Sequence, residues 1–154
     1  MVTPIDGAKF FLDLAKAIVG WSSAQKKIEQ EDAARIAEYI GNIATELSEY
    51  ANILQLNQDD ARQQAIERRY YLEMSLNNMA YVMKDHVNEK LLKNLLDRLS
   101  DIKVSDGELV PEVSELVDTA YEISSERKTI LIENIFRASG EFRAASKIIS
   151  TGLL

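Results

Sequence analysis

The side chains able to carry acid–base, nucleophilic or metal chemistry are few in this chain. Histidine occurs once, at His86, and cysteine is absent. Without a thiol there is no cysteine nucleophile, no thiolate metal site and no disulfide framework. A di-iron helical bundle needs Glu-x-x-His on two helices, so that carboxylate and imidazole share an inward face. The residue three before His86 is Met83, so that pattern fails. His86 instead reads as the residue near a helix C-terminus, where the dipole favours it. Carboxylates are plentiful, as Asp59-Asp60, Glu46 with Glu49, and Glu112 with Glu115. Each fits a solvated face or a helix start, and none is paired across an apolar stripe as general acid–base work requires. Gly-x-Gly-x-x-Gly, P-loop and Gly-x-Ser-x-Gly patterns do not occur. The expectation is a non-enzymatic protein with no catalytic residue, no cofactor and no metal.

Basic residues come in pairs: Lys26-Lys27, Arg68-Arg69 and Arg127-Lys128. Arg68, Arg69, Tyr70 and Tyr71 interleave charge with aromatic rings, a pattern that can stack on bases or lie on lipid headgroups. It also fits a polar edge bordering an aromatic core edge. These four are candidate contacts to a partner or a headgroup. The net charge of -7, from 18 Lys and Arg against 25 Asp and Glu, argues against nucleic acid. An acidic helical surface suits a basic protein partner by electrostatic complementarity.

The elements that would position these residues are helices. Hydrophobic residues make up 46% of 154 residues, enough for one domain over 1–154, and only 6 Gly and 2 Pro are available for turns. Apolar residues recur at helical spacing almost everywhere. A first helix spans about Ile5 to Val19, with Gly20 at the place of a C-terminal cap and Ser22-Ser23-Ala24-Gln25 as a capping box for the next. In the second, Ile36, Ile40, Ile43, Leu47, Tyr50 and Leu54 step by four and three alternately, as in a coiled-coil stripe. Leu56 to Asp60 reads as a turn with an Asp cap. The third helix, about Ala61 to Asp85, has Ala65, Leu72, Leu76, Met79 and Met83 as its stripe, widened by Ile66, Tyr70 and Tyr81. Val87 and Leu92 flank Asn88 as a staple around a cap, and Leu91, Leu92, Leu95, Leu96, Leu99 and Ile102 line one side of the fourth helix. Ser105-Asp106-Gly107 marks a loop, and Pro111 suits the start of a fifth helix. That helix carries Leu131, Ile135, Ala138, Phe142, Ala145 and Ile149, again stepping by four and three, and bends or breaks at Ser124 to Lys128. Ser139-Gly140 within it fits close helix packing. The predicted fold class is all-α, an antiparallel bundle of four to five long helices with a hydrophobic N-terminal helix.

That N-terminal helix departs from the pattern of the others. At about 100° per residue, Asp6, Lys9, Asp13, Lys16 and Gly20 fall within roughly 80° of one another and nearly all the rest is apolar. Such a width suits either a central, wrapped helix or one that offers its surplus face to a membrane or partner. Asp6 with Lys9 and Asp13 with Lys16, each pair three apart, are placed to partly neutralise the polar strip. Phe10, Phe11, Leu14, Ile18 and Trp21 are the candidate membrane or partner contacts. The start of the chain lacks the basic region of a secretory signal, and Val2 excludes N-myristoylation. A cytoplasmic location is expected, with membrane association on activation.

Two stretches carry a resemblance, Ala8-Lys9-Phe10-Phe11-Leu12-Asp13-Leu14-Ala15-Lys16-Ala17-Ile18-Val19-Gly20 and Arg35-Ile36-Ala37-Glu38-Tyr39-Ile40-Gly41-Asn42-Ile43-Ala44. Over about the first 55 residues the chain resembles the N-terminal helical-bundle domains of bacterial conflict and cell-death systems. It is similar also to HeLo-type and plant resistance-protein four-helix domains. The resemblance implies a first helix that emerges on oligomerisation and perturbs a membrane. Two functions are therefore expected: a self-assembling, membrane-perturbing effector of cell-death or defence type, or a soluble acidic protein-binding module such as an adaptor, immunity or inhibitor protein. Self-association through the last helix is a further expectation.

Overall fold

A computed structural model describes residues 4–24, 28–56, 61–100 and 125–151. Five helices hold nearly all of them: α1 Pro4–Ala24, α2 Gln30–Leu56, α3 Ala61–Met83, α4 Lys90–Ser100 and α5 Ser125–Thr151, with a 3-10 turn at Lys84–His86 after α3. No strand occurs among the described residues, and the fold is an all-α helical bundle.

The stripes that step by four and three form the core. Ile36, Ile40, Ile43, Leu47, Tyr50 and Leu54 of α2 are all fully buried. So are Leu131, Ile135, Ala138, Phe142 and Ala145 of α5, with Ile149 nearly so. α5 lies between α1 and α2, α2 packs on α3, α3 packs on α4, and α4 returns to touch α1 lightly. Ser139 Oγ donates to the Ala44 carbonyl at 2.7 Å, and Ser146 Oγ donates to the Ala37 carbonyl at 2.7 Å. These pairs run in opposite directions along the two chains, so α2 and α5 are antiparallel. The short 25–29 connection puts the end of α1 beside the start of α2, and hence beside the end of α5; α1 and α5 are therefore parallel. Small residues at 37, 41, 44 and 139 let the α2 and α5 backbones approach, and the hydroxyl of buried Ser139 is satisfied by Ser48 as well as Ala44.

Several boundaries differ from the sequence expectation. Gly20 does not end α1, which runs on to Ala24. The extra turn is held by tertiary packing, because Trp21 rests on the core and Ser22 is buried, its Oγ donating to the Val19 carbonyl at 2.9 Å. Ser22 thus lies inside α1 rather than in a capping box, and α2 begins only at Gln30, with Glu31 and Asp32 in its first turn. The cap of α4 is Glu89 rather than Asn88, its carboxylate accepting from Leu91 N at 3.1 Å and Leu92 N at 2.8 Å. On α4 only Leu92, Leu96 and Leu99 are buried, and Leu91 turns to solvent. The described final helix begins at Ser125, and its 27 residues make a rod of about 40 Å at 1.5 Å per residue. The Asp59-Asp60 cap, the Ser105-Asp106-Gly107 loop and the Pro111 helix start lie outside the described residues, as does Ile102.

Candidate interaction surfaces

α1 rests along α5 and meets α4 at a few residues only. Phe11, Leu14 and Ile18 are fully buried, with Ala8 and Ala15 beside them. The Phe11 ring meets Phe142 of α5 edge to face, at 6.4 Å between centroids and 69° between planes. Phe10 and Trp21 are half-buried and packed against the core. What α1 presents to solvent is its polar strip, Asp6, Lys9, Asp13 and Lys16, with Ala17, Gly20 and Ser23. Most of the apolar face of α1 is thus covered by two neighbours, with Phe10 and Trp21 only partly so, and the helix held between long partners is α5. Asp13 and Lys16 do not pair; Asp13 opens toward α4, and Lys16 opens toward Arg137 and Glu141 of α5.

The Arg68 to Tyr71 group divides. Arg68 Nη1 donates to Glu46 of α2 at 3.0 and 3.2 Å and also pairs with Glu49. Burial alone would lower the Arg68 guanidinium, but the hydrogen bond and charge of Glu46, aided by Glu49, raise it above its ordinary value. Arg69 lies 3.7 Å from Glu73, a buried carboxylate one turn on. Both arginines therefore serve links within the protein, and Arg68 ties α3 to α2. The rings of Tyr70 and Tyr71 remain exposed, in edge contact at 5.9 Å, with the Arg68 guanidinium 5.9 Å from the Tyr71 centroid.

Ile66, Tyr70 and Tyr81 do not widen the α3 core stripe. They are 47%, 50% and 65% exposed, and Met74 joins them at 39%. Positions 66, 70, 74 and 81 fall within about 80° of the helix, centred roughly 140° from the buried Leu72–Leu76 stripe. The signal was present in the sequence as a second four-residue spacing, but Met and Tyr belong to cores and surfaces alike.

His86 closes a separate tie. Its Nε2 lies 3.0 Å from Asp32 Oδ2, joining the turn after α3 to the start of α2. Asn77 Nδ2 donates to the Leu99 and Ser100 carbonyls at 3.0 Å each, satisfying the end of α4. Among the described residues no group of three or more His, Asp or Glu side chains is placed to hold a metal ion. None of their helices is long and apolar enough to cross a membrane.

Family models, curated proteins and solved structures yield no match to this chain.

Proposed function

We propose that this chain is a non-enzymatic, acidic protein-binding module, of adaptor, immunity or inhibitor type, that engages its partner through the outer face of α3. The observation that carries the reading is the exposed row Ile66, Tyr70, Met74 and Tyr81. A row of aromatic and Met side chains has the composition of an interface centre. From 66 to 81 it runs about 22 Å at 1.5 Å per residue, the length of a contact core rather than of a whole interface. The net charge of -7 favours a basic partner. The test is affinity capture by the full chain and by a Tyr70→Ser, Tyr81→Ser variant, at low and high salt. A partner retained by the first, lost by the second and weakened by salt supports the reading. Equal capture by both removes it.

A second reading is a self-assembling effector of cell-death or defence type whose α1 leaves the bundle and perturbs a membrane. The edge position of α1, resting lengthwise on α5 alone, favours it. Its cost is set by Phe11, Leu14 and Ile18, which each forfeit about 1.5–3 kcal/mol on leaving the core. The sum, about 5–9 kcal/mol, rivals the whole stability of an ordinary domain at about 5–15 kcal/mol. Lipid or oligomer contacts would have to return that energy, and this weighs toward the first reading. Dye leakage from liposomes tests it; none at any protein concentration removes it.

A further inference from the structure

A groove of about 440 Å³ separates α1 from α4 where the two helices barely meet. Phe10 and Leu14 of α1 and Leu91 and Leu95 of α4 give it an apolar lining, with Asp13 and Glu89 as its charged members. Leu91 stands at its edge 78% exposed, so its side chain is available to a ligand seated in the groove. Glu89 is drawn to the α4 N-terminus by its two backbone bonds. Asp13 has no cation partner among the described residues. The Arg98 guanidinium sits 6.0 Å from the Phe10 ring centroid but does not line the groove, whose charged members are both acidic.

We infer that this groove binds a short amphipathic helix of a foreign, basic protein. Apolar side chains one turn apart enter between Phe10, Leu14, Leu91 and Leu95, and a Lys or Arg on the flank meets Asp13. Helix-in-groove recognition uses this arrangement of anchors at i, i+3 or i+4, and i+7. Charge selects the occupant. Residues 101–124 of the chain itself carry seven carboxylates and one lysine, and a second copy brings a net charge of -7; both are repelled from an acidic groove. A cationic helix is attracted to it. The α3 row is a different surface, so failure of the α3 variants leaves this inference standing, and the reverse holds too.

The probe is a synthetic peptide of three helical turns with leucines at i, i+3 and i+7 and flanking lysines. Its controls are a scrambled peptide and one with glutamate in place of lysine. Binding to the full chain is read by fluorescence anisotropy. Saturable binding of the lysine peptide is expected, weakened about three- to tenfold by Asp13→Lys, weakened by added salt, lost with Leu91→Ser, and unchanged by Tyr81→Ser. Asp13 and Leu91 are exposed, so both groove variants should melt with the parent, which separates lost binding from lost folding. Absent binding, equal binding of either control peptide, or indifference to Asp13→Lys overturns the inference. So does light scattering that shows a dimer dissociated by Leu91→Ser, since a second copy would then fill the groove.

Discussion

Replacing Phe11 with alanine asks whether α1 is structural or only lightly docked. Phe11 is fully buried and meets Phe142 edge to face. Removing a buried phenylalanine side chain forfeits its transfer energy and leaves a cavity, together about 3–5 kcal/mol. The edge-to-face pair is worth about 0.5–1.5 kcal/mol beyond area and is contained in that range. In a chain of this length each kcal/mol moves the midpoint about 2–4 °C, so Tm should fall by about 6–20 °C. Urea and thermal melts followed by far-ultraviolet circular dichroism measure it, with Tyr81→Ala as the control, expected within about 0.5 kcal/mol of the parent. A loss below about 1 kcal/mol for Phe11→Ala would refute the reasoning. α1 would then contribute little to the core, and its release toward lipid would be cheap.

Other substitutions probe the remaining ties. Leu96→Ala on α4 should cost about 2–5 kcal/mol, while Leu91→Ala, five residues earlier and exposed, should be near neutral; paired urea midpoints decide it. Arg68→Met leaves Glu46 and Glu49 without their shared cation and should cost about 1 kcal/mol in low salt, shrinking as salt rises. Because the folded Arg68 value is raised, its contribution is fully present below the unfolded value and fades only as pH climbs through the folded one. The difference between parent and Arg68→Met should therefore stay constant from neutral to mildly alkaline pH. Ser139→Ala removes the hydroxyl linking Ala44 and Ser48 across α2 and α5 and should lower stability by about 1 kcal/mol in the same melts.

The rods that form the core were legible because their stripes repeat without interruption. Ile36 to Leu54 and Leu131 to Ile149 alternate steps of four and three, and a helix with one such face can bury only that face. α3 was harder to read. Ala65, Leu72, Leu76, Met79 and Met83 would fill a stripe alone, yet Ile66, Tyr70, Met74 and Tyr81 are apolar as well. Composition does not say which of two apolar rows meets α2. Ends were legible only where local chemistry ruled them. Gly20 has the residue type of a stop, but Trp21 and Ser22 gain burial by continuing the helix. Asn88 and Glu89 are adjacent acceptors, and docking of α4 on α3 picked the second. The His86–Asp32 contact spans 54 residues, and no local spacing announces it. The α1–α4 groove likewise exists only once the helices are placed.

The most direct test of an α3 interface is site-specific photo-crosslinking in cells, with the photoreactive side chain placed at Tyr81, at Tyr70, or at Lys9 on the solvent strip of α1. The account predicts one discrete heavier adduct from Tyr81 and Tyr70 and none from Lys9. Adducts from Lys9 with none from the two tyrosines would contradict it.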